Sequence, residues 1–307
     1  MIRINIRKLI KRMLILVGIL FLGVLVFFIA NLSIWHSIEK VTERNHSYPP
    51  GSSSITWIGH STMLIHLDNF NIITDPMYNN YILVFAKRYY EPAIKFENLP
   101  PIDAICISHE HYDHLDKATL KRFRKDVPVI ISKGIGYKVR DVGLNDVREL
   151  GWWESTTVKG VKITAVPGKH GGARISGFVI EGARTVYFAG DTGYSKFFDE
   201  IGQRFKIDVA LLPISHYRSR RGNVKVDKML KQIHMGPGDF PAAIKALKAR
   251  LAIPIHHSTF KNVGSWELPF EEPLRYLREI AKKNGLERKV KILKFGEQVD
   301  IGKLIDE

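Results

Sequence analysis

The chain has 307 residues, 45% hydrophobic and 25% charged, which supplies a large core and excludes a disordered or low-complexity protein. A formal net charge of +15 suits an anionic membrane surface, a phosphate-bearing substrate or nucleic acid, so charge selects none of them. The lone Cys106 excludes an intrachain disulfide framework.

From Met13 to Ala30 the sequence carries no charged residue. As a helix that run would measure about 27 Å, close to a bilayer core. Asn31 to Trp35 extends it and puts an aromatic residue where an interfacial anchor would sit. Arg3, Arg7, Lys8, Lys11 and Arg12 precede the run, whereas Glu39, Lys40, Glu43 and Arg44 nearly cancel after it. Residues 1–36 are therefore expected to be a basic cytoplasmic tail and one transmembrane helix. That places a single-pass protein in the cell membrane, with its remaining mass on the extracytoplasmic side. A cleaved signal peptide is the alternative, but the apolar run is long for one and no small-x-small cleavage site follows.

Residues 37–54, with Pro49, Pro50, Gly51 and the three serines that follow it, read as a linker, and a catalytic domain is expected over 55–307. Met63–Leu67 and Asn71–Thr74 predict a hairpin, and Ala104–Ser108 a buried strand that encloses Cys106. A helix is expected over Lys117–Arg124. Val127–Ser132, Val161–Val166, Gly177–Ile180, Thr185–Phe188, Val209–Leu212 and Ala252–Ile255 are further strands, rich in β-branched residues. Helical patterns return at Ser195–Arg204, Phe240–Arg250 and Pro269–Lys283, which together fit two sheets covered by helices. The basic stretch Arg218–Lys231 reads as a surface loop, and no tandem repeat is present.

His109-Glu110-His111-Tyr112-Asp113-His114 packs four potential metal ligands into one turn beside the Ala104–Ser108 strand. Imidazole and carboxylate are the donors zinc takes where a position must stay open for water. His109, His111 and Asp113 alternate, so an extended backbone sends them to one side, and a turn after Asp113 lets His114 reach a second ion. The motif is not the HExxH of zincin proteases, because Asp113 stands where the second histidine would be.

Further donors stand where predicted strands end: His170 after Pro167-Gly168-Lys169, Asp191 within Gly190-Asp191-Thr192-Gly193, and His256 or its neighbour His257. The expected arrangement puts His109, His111 and His170 on one zinc and Asp113, His114 and His256 on another, with Asp191 bridging. Two such ions a few ångströms apart lower the pKa of a shared water toward neutrality.

These residues resemble the metallo-β-lactamase superfamily, whose HxHxDH pattern is matched by His109, His111, Asp113 and His114. More closely, the chain resembles the N-acyl-phosphatidylethanolamine phospholipase D family and its bacterial relatives. The stretches that carry this are Gly59-His60-Ser61-Thr62, Thr74-Asp75-Pro76, Pro100 to Ala104, Ile107 to His109, His111 to Asp116, Trp152-Trp153-Glu154, Phe188 to Tyr194, Ile255-His256 and Thr259-Phe260. The resemblance implies an α+β fold, an αββα sandwich with two zinc ions at one edge. It also implies hydrolysis of an N-acylated phospholipid to phosphatidic acid and an N-acylethanolamine. Its ligand pattern falls on the seven residues above, gives Asp113 a catalytic as well as a ligand role, and matches an active-site histidine to His234 in His234-Met235-Gly236-Pro237. Ser215-His216-Tyr217 and Arg218–Lys231 depart from the animal enzyme on the substrate side.

The expected reaction is in-line attack on phosphorus by a metal-bridging hydroxide, with His234, His216 or water protonating the leaving group. The partners are then a membrane phospholipid and the bilayer itself. A lactonase or other ester hydrolase on the same scaffold, a non-catalytic membrane-tethered binding protein, and iron in place of zinc are the alternatives. Nucleic acid is not expected, since no recognition domain is inserted and the predicted span points to a membrane.

Overall fold

The structure, a computed structural model, describes residues 6–31, 37–42, 44–83, 86–215, 233–261 and 272–306. The expected basic loop Arg218–Lys231 and His216 lie outside them. Helix α1 covers Ile6–Asn31 and so includes the uncharged run. Its described side chains, uninterrupted only from Ile10 to Val26, are exposed. Among the described residues no helix is long and apolar enough to cross a membrane, so the fold does not support the expected transmembrane helix.

The strands, in chain order, are β1 Ser53–Gly59, β2 Thr62–Leu67, β3 Phe70–Thr74, β4 Tyr81–Ile82, β5 Ala86–Arg88, β6 Ala104–Ile107, β7 Val129–Ser132 and β8 Val147–Leu150. They continue with β9 Ser155–Val158, β10 Val161–Pro167, β11 Ser176–Glu181, β12 Thr185–Phe188, β13 Val209–Pro213, β14 Leu251–Ile255, β15 Phe260–Lys261 and β16 Gln298–Asp300. The remaining helices are α2 Lys117–Leu120, α3 Tyr137–Arg140, α4 Phe197–Arg204, α5 Phe240–Leu247, α6 Glu272–Lys283 and α7 Ile301–Asp306.

Two sheets form, in the orders β16-β1-β2-β3-β6-β7-β8 and β14-β13-β12-β11-β10-β9, with β15-β5-β4 as a small third. The period of two decides which face each side chain takes. Ile65, Ile72 and Cys106 pack between the sheets against Ile163, Phe178 and Leu211. Their chain neighbours Leu64, Ile73 and Ile105 face outward onto Leu120 of α2 and Val139 of α3. On the other side Val179, Tyr187 and Ala210 meet Phe198 and Ile201 of α4, Phe240 and Ile244 of α5, and Leu277 of α6. Strands buried on both faces read as continuous apolar runs, which is why β6, β7, β13 and β14 stand out in the sequence. The architecture is the αββα sandwich.

Helix limits differ from expectation for local reasons. α2 begins where Asp116 accepts the Ala118 N–H at 3.1 Å, but stops short of Arg124. Arg122 and Phe123 instead donate to the carbonyls three residues back, a tighter turn. α5 ends at Leu247 because Lys248 is left-handed (φ 52°). The expected linker is docked at its C-terminal half: His46 Nε2 lies 2.9 Å from the Gly296 carbonyl, and Tyr48 packs on the outer core of the first sheet. Sequence periodicity did not reveal β1, β16 or the β4–β5 hairpin. β16 pairs with β1 from the far end of the chain, a partnership that no local pattern encodes.

Candidate metal centre

The candidate donors all follow strand ends at one edge of the sandwich: His60 after β1, Asp75 after β3, His109 after β6, His170 after β10, Asp191 after β12 and His256 after β14. Carboxyl ends of strands are where an open α/β sheet displays its reactive groups. The backbone is bent to do so. His60, Asp75 and His256 hold φ of 54°, 34° and 59°, and each such non-glycine residue costs about 1–3 kcal/mol that the surrounding core must offset. Gly190 sits at φ +65° with its absent Cβ only 2.5 Å from Ser108 Cβ, so no side chain fits before Asp191.

Two groups of donors converge. In the first, His170 Nε2 lies 3.1 Å from His111 Nδ1, and His109 completes the group. His170 Nδ1 donates to the Ile233 carbonyl (2.9 Å) and His109 Nδ1 donates to Ser108 Oγ (3.0 Å). Each imidazole therefore presents Nε2 as a bare lone pair, and His109 Nε2 is buried without a hydrogen-bond partner. In the second group, His114 Nε2, His256 Nε2 and Asp113 Oδ2 are 3.2, 3.3 and 3.4 Å apart pairwise. Asp191 Oδ2 stands 3.3 Å from His256 Nε2 and 3.9 Å from His170 Nδ1, between the two groups.

These separations fit a tetrahedral divalent ion. Bonds of about 2.0–2.1 Å from nitrogen or carboxylate oxygen place donors about 3.3–3.4 Å apart. An orphaned buried imidazole nitrogen and lone pairs aimed at one another are otherwise unfavourable. The seven expected ligands are thus brought together, and His256 rather than His257 faces them. His257 packs its ring 4.5 Å from that of Trp57, with Nε2 at 3.3 Å from the Pro254 carbonyl.

The electrostatics favour the same donor states. Burial holds His109 well below the usual imidazole range and lowers His111 and His170, which keeps them neutral. Burial would raise Asp113 and Asp191, but the surrounding histidines outweigh it and hold both well below the carboxylate range. His114 goes the other way: burial opposes its charge, yet Asp113 and Asp75 prevail and raise it. A cation at this position would replace that proton.

Residues not expected from the sequence complete the site. Asp75 Oδ2 accepts from His114 Nδ1 at 2.6 Å and from Ser108 Oγ at 2.6 Å, while its Oδ1 accepts the Ser108 N–H at 2.7 Å. One buried carboxylate thereby fixes the tautomer of His114 directly and of His109 through Ser108. His60 Nε2 lies 3.0 Å from Asp113 Oδ2, and Ser215 Oγ donates to Asp191 Oδ1 at 2.7 Å. His60 and Asp75 belong to the sequence stretches that carry the resemblance, which was the available signal. His234 Nδ1 is 2.9 Å from Asp191 oxygens, and its ring centroid is 4.8 Å from that of His170.

A family profile described as Beta-lactamase superfamily domain matches residues 70–257, most of the sandwich and every expected ligand. The chain belongs to this superfamily. A Methanopyrus kandleri protein described as a UPF0173 metal-dependent hydrolase is 28% identical over 80% of this chain and 99% of its own length. Among relatives, a Mycobacterium tuberculosis protein is 30% identical over 75% of this chain, which spans 64% of that protein's length. The N-acyl-phosphatidylethanolamine-hydrolyzing phospholipase D 1 of Caenorhabditis elegans is 33% identical over 73% of this chain and 68% of its own. A crystal structure described as a possible metal-dependent hydrolase, from Veillonella parvula, superposes with a TM-score of 0.67 at 20% identity, covering 81% of this chain and 99% of that one, and shares the fold.

Proposed function

We propose that the protein holds two zinc ions and hydrolyses a phosphodiester in an N-acylated or related phospholipid. The observation that carries the two-ion reading is the position of Asp191, whose Oδ2 is 3.3 Å from His256 Nε2 in one donor group and whose charge also acts on His109, His111 and His170 of the other, so that one carboxylate can serve both. His109, His111 and His170 would hold one ion, and Asp113, His114 and His256 the other. Such a pair supplies a nucleophile at neutral pH and neutralises charge developing on the reacting oxygen.

The chain's own residues supply the rest. Asp113 orients the second donor group from the middle of the ligand turn. His234 has its Nδ1–H on Asp191, and although burial opposes its charge, the Asp191 hydrogen bond raises its pKa, so it can deliver a proton to a leaving alkoxide. A cleft of about 580 Å³ opens beside the ligand turn, with Met77, Tyr81, Leu83 and Tyr112 on its apolar wall and Lys138 paired to Glu110 at its rim. That lining suits an acyl chain near an anionic headgroup. The name of the Caenorhabditis elegans relative supports the substrate class.

Membrane attachment through α1 belongs to the same proposal. The uncharged Met13–Ala30 run and the basic residues before it support a single-pass anchor with its N-terminus in the cytoplasm. The deciding experiment incubates the zinc-loaded full chain with N-acylated phospholipids, plain phospholipids and lactones, and identifies products by mass. Phosphatidic acid with an N-acylethanolamine is expected; opened lactones with intact phospholipid would overturn the reading.

A further inference from the structure

His60 lies outside the seven expected ligands, yet its ring is almost completely buried and touches the second donor group at several points. Its imidazole is wedged with ring centroids 4.0 Å from His256 and 5.3 Å from Phe260, the latter edge-on. Its Nε2 lies 3.0 Å from Asp113 Oδ2, the same oxygen that His114 Nε2 and His256 Nε2 approach at 3.3 and 3.4 Å. An imidazole nitrogen so close to a carboxylate must carry its hydrogen, because a bare lone pair there would be repelled. His60 therefore donates to Asp113.

The backbone of the same residue acts on a second donor. The His60 carbonyl accepts the His256 N–H at 3.0 Å and the Trp57 indole N–H at 3.0 Å, while its own N–H donates to Thr259 Oγ1 at 2.6 Å. These bonds join the turn after β1 to the loop after β14, which come from opposite sheets. The two residues joined by the His256 N–H bond, His60 and His256, both hold positive φ, 54° and 59°. Among the described residues, the polar and ring contacts of the His60 side chain are with Asp113, His114, His256 and Phe260 and not with His109, His111 or His170.

We infer that His60 is a positioning residue for one metal half-site alone: it sets Asp113 through its side chain and His256 through its backbone, and leaves the other half-site untouched. The inference rests on the two-ion reading above. Outer hydrogen bonds to metal ligands are worth about 10- to 100-fold in affinity, so the effect is measurable.

The test titrates the metal-free full chain with zinc ion alone against a chromophoric chelator. The unaltered protein should take up two ions. His60→Ala should bind the first as before and the second about 10- to 100-fold more weakly. The retained first ion shows that the variant is folded. His60→Gln, whose carboxamide can still donate to Asp113, should recover most of the second affinity. An unaltered protein that takes one ion removes the two-ion reading and this inference with it. Two ions bound by His60→Ala as tightly as before, equal weakening of both, or failure of His60→Gln to recover the second would each overturn the inference alone.

Discussion

His114 donates its Nδ1–H to Asp75 Oδ2 at 2.6 Å, with both side chains wholly buried, and this leaves His114 Nε2 facing His256 Nε2 at 3.2 Å. The bond chooses the tautomer that can ligate. Asp75→Ala would strand three buried donors, His114 Nδ1, Ser108 Oγ and the Ser108 N–H. At about 1–3 kcal/mol for each unsatisfied group, urea unfolding of the metal-free variant should show a loss of about 3–9 kcal/mol. Unchanged stability would mean that Asp75 is not the acceptor described.

Asp191 touches both donor groups, so its removal should be felt by both. Asp191→Ala and His111→Ala are each expected to lose hydrolysis and tight zinc retention together, read by metal analysis after gel filtration alongside product formation. Full turnover by a variant that has shed its metal would contradict the two-ion mechanism.

α4 and α5 cross so closely at Gly202 that a Cβ there would stand 2.1 Å from the Ala246 carbonyl oxygen. The clash is with backbone, which cannot rotate away. Gly202→Ala should cost about 3 kcal/mol or more, visible as a lower unfolding midpoint with the denaturant slope unchanged. Metal affinity should hold, since the crossing lies behind the second sheet and away from the ligand edge.

His257 offers a pH test. Burial, and less strongly the neighbouring His256, lowers its pKa to about 3, whereas an unfolded imidazole titrates near 6.5. The unfolded chain thus takes up a proton below pH 6.5 that the folded chain refuses until about pH 3. Stability is lost as pH falls through that window, by about 2 kcal/mol between pH 7 and pH 5 for this one group. His257→Gln should flatten the acid limb of a stability profile by that amount while zinc uptake is kept, whereas His256→Gln should impair zinc uptake. A limb of the same steepness in His257→Gln would remove His257 as its source.

Anchoring by α1 can be tested without truncation. Leu16→Lys with Leu20→Lys places two charges in the apolar run, where each costs about 2.5–3.5 kcal/mol in a bilayer centre. The unaltered chain should sediment with membranes and resist carbonate extraction, and the double variant should be released. Release of the unaltered chain by carbonate would end the anchoring proposal.

The ligand turn was legible because His109, His111, Asp113 and His114 are neighbours whose spacing alone sends them to one side. The strands that display His170, Asp191 and His256 were legible for a related reason. The strand before His256 is buried on both faces and is written as an apolar run, whereas those before His170 and Asp191 showed themselves by their β-branched and aromatic residues. His60 and Asp75 carry no such mark. A single histidine or aspartate in a turn looks alike whether it faces solvent or a metal ligand, and His60 meets Asp113 across 53 positions of chain. The pairing of β16 with β1 was hidden in the same way.

By itself the sequence determined the layered class, the turn that concentrates the donors, and the candidates for a seven-ligand set whose last member lay between His256 and His257. Only the tertiary structure decided that His256 and not His257 faces the site, that Asp191 stands between the two donor groups, and that Asp75 and His60 hold their ligands from behind. The division follows from range: periodicity and turn chemistry act over a few residues, whereas lone-pair direction depends on groups that meet only after both sheets have packed.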